Sequence, residues 1–572
     1  MTSIRPRYRF ALILALLPVP HAAPAQTGRP PSEVARLLRT LPLRERIAQL
    51  IMPWIPGTYS AFDDPAFTEV TDWVDSLRIG GIVVSIGSPL DIAAKLNFLQ
   101  RRSQLPLLIS SDLEGGTSIR FNGGTPFPTN MGIGATGSET DAYNMGRITA
   151  LEGRAAGIHL TFSPVADINN NPANPIINTR AFGADPIKVA RLVAAAVQGT
   201  EEGGMLATAK HFPGHGDTDT DSHIALPVIR AGWRRLDSLE LVPFRAAIAA
   251  GVSVVMSAHV ALPELGLAPR IPATLAPEVL TGILRDSLDF RGLVITDALN
   301  MGALVGEYGA GEAAVLALLA GTDILLMPTN ARGAIDAVEA AVVSGRISRE
   351  RLDSSLYRVL MAKHQLGLFR SRTTDLDAVG TVIGSRAHRD TALSVSRRSV
   401  VLVRDSLGLL DSLRTGSRPV TMILYSDTYS TTMGATLVSE LNRRGYRVSS
   451  FRLSPASGPA SYDSAAALVR SGRPAVFATS VRVAAWRGAI GLPEPLANLI
   501  RQSAAERPTG MISFGTPYLL TQTPGIATYL LAWTANPLTE SAVAEALSGG
   551  PITGSLPIDL PPWYRQGHGI RK

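Results

Sequence analysis

Length, composition and charge limit the classes of protein to which this chain can belong. The 572 residues are 45% apolar and 18% charged, a balance typical of a globular chain with more than one domain and not of a disordered or fibrous one. The formal net charge is +7, and it is +4 when positions 1–25 are left out; no Lys/Arg-rich run is present, so nucleic-acid binding is not indicated. The chain has no cysteine, which excludes thiol nucleophiles and Cys-ligated metals.

The N-terminal segment 1–25 has the pattern of an export signal. Three arginines precede a short apolar run at 10–17, and Ala23 with Ala25 forms an A-x-A signal that predicts cleavage before Gln26. Such a run is too short for a hydrocarbon core about 30 Å thick. We therefore expect residues 1–25 to be a signal peptide and the mature protein to be exported to the periplasm or the medium, with no stable membrane insertion after cleavage. An uncut N-terminal anchor is the alternative.

Between residues 45 and 330, short apolar runs alternate with Ala/Leu-rich stretches of 3.6-residue periodicity. This alternation predicts parallel βα units, and their number and span favour an α/β fold of the TIM (β/α)8 barrel type at 34–372. The predicted strands are 47–54, 80–87, 105–112, 158–167, 205–212, 252–260, 292–298 and 323–328.

Polar residues cluster at the carboxyl ends of these predicted strands, where such barrels carry their chemistry. A role in helix capping is the alternative for each residue alone, and a structural ion pair is the alternative for a Lys–Arg set at the mouth. His159 and His259 are expected to be buried, hydrogen-bonded histidines. The strand-end residues are Asp112, Asp167, Lys210, His211, His259 and Asp297.

A second α/β pattern follows a predicted closing helix at 348–368. Further apolar runs with intervening helical segments predict an open-sheet α/β domain at 385–565, and the boundary is expected in the polar segment 370–390. The predicted strands are 399–405, 420–427, 446–453, 474–481, 510–515 and 527–533.

The segment 210–223, KHFPGHGDTDTDSH, contains three histidines and three aspartates. One interpretation is a zinc site, but the proline and glycines at 213–216 prevent the regular helix that holds two histidines one turn apart. A calcium loop is excluded because Ser222 and Val228 stand where the loop requires Gly and Glu. We therefore expect no metal and no cofactor.

Acid/base chemistry on a mobile loop is the third interpretation of this segment. Asp221 and His223 are two residues apart, so in an extended segment their side chains lie on the same side. A carboxylate next to an imidazole fixes its tautomer and favours its protonated form, which makes a proton donor. Gly214 and Gly216 would act as hinges that carry the loop over a substrate.

The same segment resembles the signature of bacterial NagZ-type β-N-acetylhexosaminidases of glycoside hydrolase family 3. The resemblance extends to SDLEGGTSIRF, INTRAFGADP, MSAHV and LRDSLDFRGLVITDALNMGAL, and together these motifs cover about residues 40–370. The KHFPGHG…DSH element is specific to the hexosaminidase branch. The stretch GSLPIDLPPWYRQGHG resembles the end of the family's α/β sandwich domain. The resemblance thus implies an exported, two-domain member with a barrel and a C-terminal α/β sandwich.

The resemblance also implies a role for each matching residue. Asp297 matches the catalytic nucleophile, His223 the general acid/base and Asp221 the partner of that histidine. The remaining matches are sugar-binding positions, namely Asp112, Arg180, Lys210 and His211 at the hydroxyls and Arg120 at a further basic position.

These roles imply a retaining exo-β-N-acetylglucosaminidase that releases terminal GlcNAc from peptidoglycan fragments or chitooligosaccharides through a covalent glycosyl-Asp intermediate. Phosphorolysis, another family 3 β-glycosidase activity and a non-catalytic module that binds cell-wall glycan are the alternatives. Thr117 stands where a second basic residue often follows the EGG turn, a departure expected to alter contacts beyond the terminal sugar. The natural glycan, the oligomeric state and the role of the second domain stay open.

Overall fold

The computed structural model describes residues 30–415, 419–428, 430–471, 473–484 and 490–572. The predicted signal peptide at 1–25 lies outside these ranges. Within them, every helix is either too short or too polar to span a bilayer.

The strands that precede position 370 are short, and nearly all of their side chains are buried. This burial is typical of parallel strands that are covered on both faces. The strands are β1 (Ile51–Met52), β2 (Trp54–Pro56), β3 (Gly81–Ser85), β4 (Leu108–Ser111), β5 (Leu160–Thr161), β6 (Thr208–Phe212), β7 (Val254–Ser257), β8 (Leu293–Ile295) and β9 (Leu325–Leu326).

Helices separate these strands, and several begin with a capping side chain followed by proline. Asp185 accepts hydrogen bonds from the backbone N–H groups of Ile187 and Lys188, with Pro186 at the first helical position. The helices are α1 (Ser32–Thr40), α2 (Leu43–Ala48), α3 (Pro65–Asp75), α4 (Pro89–Arg102), α5 (Asn130–Thr136), α6 (Glu139–Ala155), α7 (Pro186–Glu202), α8 (Trp233–Ser238), α9 (Leu241–Ala249), α10 (Gly302–Val305), α11 (Ala310–Ala320), α12 (Ala331–Val343) and α13 (Arg349–Gln365), with a π-helix at Glu278–Ser287.

The strand pairs in this part of the chain are parallel. They form the sheets β1–β9, β2–β3–β4–β5 and β6–β7–β8. Isolated parallel bridges connect the sheets further, from Leu160 to Leu206 and from Ile295 to Ile324. The fold is therefore α/β with parallel sheets, and the carboxyl ends of neighbouring strands lie on the same side.

The first predicted strand, at 47–54, is wrong in its first half. Residues up to Ala48 belong to α2, which follows Pro42 and buries Ile47 and Ala48. A single apolar turn of helix has the same composition as a short buried strand, so periodicity does not distinguish them over so few residues. Pro53, which has no N–H, then separates β1 from β2.

The C-terminal part contains a sheet in the order β10–β15–β14–β13–β11–β12, in which only the β10–β15 pair is antiparallel. In the strand Ala475–Ser480, near the middle of the sheet, alternate residues are buried in two different apolar clusters, so the sheet is covered on both faces. Its strands are β10 (Val401–Asp405), β11 (Pro419–Ser426), β12 (Arg447–Leu453), β13 (Ala475–Ser480), β14 (Thr509–Ser513) and β15 (Thr528–Leu531), and its helices are α16 (Leu409–Thr415), α17 (Ala435–Arg443), α18 (Pro459–Val469), α19 (Glu494–Glu506) and α20 (Pro537–Leu547), preceded by α14 (Leu376–Val382) and α15 (Arg386–Ser399).

The segment expected to hold the domain boundary, 370–390, is largely helical. Asp375 and Ser385 cap α14 and α15. Ala392 and Val395 of α15 are buried in the same apolar cluster as residues of β7 and β8. The connection thus consists of two helices that pack on the rest of the chain. Their sequence is mostly polar, but each helix buries a narrow apolar face.

Candidate active site

A cleft of about 340 Å³ opens at the carboxyl ends of the parallel strands. Its volume is that of a site for a small ligand. Asp221 is buried and hydrogen bonded to a residue of the lining. The other seven residues that the resemblance singles out all line the cleft, namely Asp112, Arg120, Arg180, Lys210, His211, His223 and Asp297.

Asp297 follows β8 by two residues and is half-buried in the cleft. Its Oδ1 accepts a hydrogen bond from Ala298 N at 2.8 Å, and it does not cap α10, whose preceding residue is Met301. Burial raises the pKa of this carboxyl, but the neighbouring charges of His211 and His259, the Ala298 N–H and His223 together lower the pKa to about 2. Asp297 is therefore a carboxylate at any ordinary pH.

His223 and Asp221 form a hydrogen-bonded pair. His223 Nδ1 lies 2.8 Å from Asp221 Oδ1, which also accepts the His223 backbone N–H at 2.9 Å. The predicted proximity is confirmed, but the predicted extended conformation is wrong, because residues 222–224 form a turn. Backbone hydrogen bonds from Ile224 N and Ala225 N to Asp221 O, at 2.9 and 3.1 Å, close this turn. The imidazole is about a quarter exposed, whereas the carboxylate is 1% exposed, so Asp221 orients a histidine that faces the cleft.

A backbone hydrogen bond also connects His223 to the segment that follows Asp297. Gly302 N donates to His223 O at 3.1 Å. A Cβ atom at position 302 would lie 2.5 Å from that oxygen, so glycine is needed for this approach.

His215 connects the two halves of the segment 210–223. Its two ring nitrogens lie 3.1 Å from Thr218 Oγ1 and 3.0 Å from Ser222 Oγ. Gly216, predicted to be a hinge, packs so closely on Ile168 that a Cβ atom would lie 1.6 Å from its carbonyl oxygen. In this conformation Gly216 serves close packing, and the segment is held by side-chain hydrogen bonds.

The pKa of His215 predicts how stability changes below neutral pH. Burial is the main cause that lowers this pKa to about 4, below the value of about 6.5 for an unfolded histidine. Between these values the unfolded chain binds the extra proton, so we expect stability to fall as the pH drops from about 6.5 to about 4, by up to about 1.4 kcal/mol per pH unit for this group. Urea unfolding across this range should give a smaller slope for His215→Asn than for the wild type.

The matched control is Thr218→Ser, which changes the same segment but keeps His215 and the hydroxyl next to its ring, and it should keep the wild-type slope. Burial also lowers the pKa values of His159 and His259, so these two histidines add to the loss of stability at low pH. Both remain in either variant, so the slope of His215→Asn should fall without reaching zero. An unchanged slope in His215→Asn would contradict the prediction.

Glu114, which was not predicted from the sequence, is buried behind the cleft wall and holds two of the residues that line it. It makes a bidentate ion pair with Arg180, at 2.8 and 2.9 Å, and lies 2.6 Å from Lys210 Nζ. Burial raises the pKa of Glu114, but the charges of Arg180 and Lys210 outweigh this effect and hold the pKa well below its usual range. Lys210 also contacts Asp112 at 2.7 Å, and Arg120 contacts the other oxygen of Asp112 at 2.8 Å.

These contacts form one charged network along the cleft wall. The ion-pair alternative for Arg180 and Lys210 therefore holds geometrically, yet both side chains also line the cleft. The spacing Asp-x-Glu after β4 was the available signal for Glu114, because alternate residues of an extended segment lie on the same side.

His211 is oriented by Asp167, which the sequence analysis noted at a strand end without giving it a role. His211 Nδ1 lies 2.7 Å from Asp167 Oδ2. Asp167 Oδ1 accepts the backbone N–H groups of His211 and His215 at 3.2 and 2.8 Å. Burial raises the pKa of Asp167, but the charge and hydrogen bonds of His211 lower it overall.

The remaining histidines of this region behave as expected. His259 is fully buried between Thr274 Oγ1, at 2.8 Å, and Ala298 O, at 3.0 Å. His159 is buried, and its Nδ1 accepts the Ile109 N–H. Across the described ranges, no group of three or more His, Asp or Glu side chains is arranged to hold a metal ion.

Comparison with known proteins identifies the class of this cleft. Residues 42–362 match the glycosyl hydrolase family 3 N-terminal domain. The beta-N-acetylglucosaminidase/beta-glucosidase of Cellulomonas fimi is 32% identical over 509 residues, which cover 84% of this chain and 89% of the relative. The chain is a glycoside hydrolase. It belongs to glycosyl hydrolase family 3.

Solved structures extend the similarity to most of the chain. The family 3 beta-N-acetylglucosaminidase from Paenibacillus sp. str. FPU-7 is 33% identical with a TM-score of 0.81, over 91% of this chain and 99% of that chain. The beta-glucoside phosphorylase BglX bound to 2FGlc is 28% identical with a TM-score of 0.84, over 92% of this chain and 96% of that chain. The similarity therefore includes the six-stranded sheet.

Proposed function

We propose that this protein is a retaining exo-β-N-acetylglucosaminidase. The observation that carries the proposal is the Asp221–His223 pair on the wall of the same cleft as an ionised Asp297. A retaining glycosidase needs a nucleophilic carboxylate and a proton donor near the leaving oxygen. The relatives from Cellulomonas fimi and Paenibacillus, both named as β-N-acetylglucosaminidases, support GlcNAc as the sugar.

We also propose the finer architecture. The parallel strands β1–β9 form a (β/α)8 barrel within 34–372, supported by the bridges that join neighbouring sheets. The six-stranded sheet and its helices form a C-terminal α/β sandwich domain within 385–565. The cleft then lies where such barrels carry their chemistry, at the carboxyl face of the strands.

In the first chemical step, Asp297 attacks C1 of the terminal GlcNAc and forms the glycosyl ester. Its Oδ1 is held by the Ala298 N–H, so the attack falls to Oδ2. The bond between C1 and the leaving oxygen breaks as His223 transfers its proton to that oxygen. Asp221 keeps Nδ1 protonated, so the exchanged proton is on Nε2.

In the second step, water attacks C1 while His223 takes one of its protons. The ester bond to Asp297 breaks, and the carboxylate is restored. Two inversions at C1 give net retention of configuration. No metal or cofactor is required in either step.

The charged network on the cleft wall suits the hydroxyls of one terminal sugar. Lys210 and His211 are almost fully buried, and Arg180 is held by Glu114, so these donors are fixed before substrate arrives. Arg120 Nε is buried and has no hydrogen-bond partner among the described residues, which suits an oxygen of the substrate.

Phosphorolysis is the second candidate, because the β-glucoside phosphorylase BglX shares the fold at 28% identity. An imidazole acid/base repels phosphate less than a carboxylate would, so phosphate could replace water in the second step. The product would then be GlcNAc-1-phosphate.

A panel of aryl β-glycosides, with and without inorganic phosphate, tests both candidates. We expect turnover of the β-GlcNAc compound to free GlcNAc, with turnover of β-glucoside and β-xyloside lower. GlcNAc-1-phosphate formed only with phosphate would identify a phosphorylase, and preference for β-glucoside would identify another family 3 activity. Tight glycan binding without any turnover would identify a binding module.

For the natural setting, we propose export through a signal peptide at 1–25 and action on peptidoglycan fragments or chitooligosaccharides. The arginines, the apolar run and the A-x-A signal of this N-terminal segment support export. N-terminal sequencing of the protein purified from the periplasm or medium should begin at Gln26.

A further inference from the structure

A buried carboxylate outside the cleft joins the loop that carries Arg120 to the connector before the six-stranded sheet. Glu152, in α6, is fully buried. Its Oε2 accepts hydrogen bonds from the Thr117 hydroxyl and from Thr125 N at 3.0 Å. Its Oε1 accepts hydrogen bonds from Thr125 Oγ1 at 2.5 Å, Gly384 N at 2.9 Å and His388 Nδ1 at 2.8 Å.

These contacts hold both ends of one loop. Thr117 and Thr125 lie on either side of Arg120, and the chain between them contains a 3-10 turn, Thr117–Ile119, with the backbone bond from Phe121 N to Thr117 O at 2.8 Å. Arg120 then reaches into the cleft and contacts Asp112. A carboxylate offers about four acceptor positions, so the five donors around Glu152 occupy its whole hydrogen-bonding capacity.

The connector also touches the tip of this loop. Gly384 adopts a left-handed conformation with φ of +64°, and a Cβ atom there would lie 2.2 Å from Gly123 O. His388, in the first turn of α15, is only 17% exposed on its side chain. The segment that contains α14 and α15 thus packs against the loop 117–125 without lining the cleft.

Thr117 explains part of this arrangement. This threonine is fully buried at the start of the loop, and its hydroxyl donates to Glu152. His388, far along the chain, supplies a further donor to the same carboxylate.

We propose that Glu152 and His388 are positioning residues for Arg120, and that α15 thereby couples the C-terminal part of the chain to substrate binding. The inference deepens the proposed function, because it rests on Arg120 contacting the substrate. It assigns to the C-terminal part a role that needs no residue of its own in the cleft. His388 acts by donating from Nδ1, so a side chain with a donor at the same place should replace it.

The first test measures amide hydrogen exchange of the full mature chain, without substrate. In His388→Ala we expect the amides of 117–125 to exchange at least about tenfold faster, with α7 unchanged as an internal reference. His388→Asn, whose amide nitrogen can occupy the position of Nδ1, should keep wild-type protection. Unchanged exchange of 117–125 in His388→Ala would overturn the proposal. If that variant does not fold, Thr125→Val removes one donor and should give a smaller increase at the same amides, and no increase would overturn it.

The second test is kinetic and uses the substrate found in the aryl glycoside panel. We expect His388→Ala to raise KM about tenfold with kcat within about threefold, and His388→Asn to stay near the wild type. In an Arg120→Ala background, His388→Ala should change KM by less than about twofold, because the residue through which it acts is gone. An equal effect in both backgrounds would show a general structural role and overturn the proposal. Inactivity of the wild type would contradict the proposed function, whereas hydrogen exchange would still test the coupling.

Discussion

Asp297→Asn should reduce turnover of an aryl β-GlcNAc by at least about 10³-fold, with little change in stability. The amide has nearly the same shape but cannot supply the negative charge that attacks C1. The low pKa of Asp297 means that the wild type carries this charge at every pH at which the protein is assayed. Initial rates and thermal unfolding of the purified variant are the measurements.

Two companion variants make this test specific. Asp219→Asn changes an exposed carboxylate of the segment 210–223 and should keep the wild-type rate. Asp297→Gly with added azide should recover part of the turnover and yield the α-glycosyl azide, because azide takes the place of the carboxylate at C1. A near-wild-type rate for Asp297→Asn would show that another group is the nucleophile.

His223→Ala should have a loss that depends on the leaving group. For a poor leaving group such as the hydroxyl of a second sugar, the proton donated in the first step is needed, and we expect a loss of about 10²–10⁴-fold. For dinitrophenyl, which leaves without protonation, the first step should be affected by less than about tenfold. Rates for a series of aryl β-GlcNAc compounds, plotted against the acidity of the leaving group, measure this difference.

Asp221→Asn should also slow turnover of poor leaving groups, but by a smaller factor than His223→Ala. The amide can retain a hydrogen bond to the ring while losing the charge that stabilises the imidazolium. Asp219→Asn is again the control. Equal losses for good and poor leaving groups in His223→Ala would contradict its role as the acid.

Much of the fold was predictable because the local signals agree with the packing. Most of the predicted strands are present, though generally shorter, and local signals such as Asp185 followed by Pro186 stand where a helix begins. The exception is 47–54, where apolar residues belong partly to a helix. The strands are shorter than predicted because a strand extends only as far as its neighbours pair with it, and those neighbours cannot be read from a single segment.

The site was predictable to the extent that it depends on residue type and spacing. From strand-end positions and motifs, Asp297, His223 and the sugar-binding candidates were predicted to belong to one site, and they all line the same cleft. Glu114, Asp167 and Glu152 were not given roles, because their importance comes from partners that lie far away in the chain, such as Arg180, His211 and His388. Such long-range pairings follow from the fold and leave little trace in local sequence.

The hydrogen bond between Gly302 and His223 has a consequence for attempts to exchange parts between family members. It ties the backbone of the proposed proton donor to a position shortly after the proposed nucleophile, so one backbone hydrogen bond links the two segments that carry them. A transplanted copy of 210–223 therefore needs a residue without Cβ at the position of Gly302, since the first side-chain carbon would occupy the space of the His223 carbonyl. Exchange of the segment 210–223 therefore has to include a matching segment after β8, a requirement that neither sequence motif states alone.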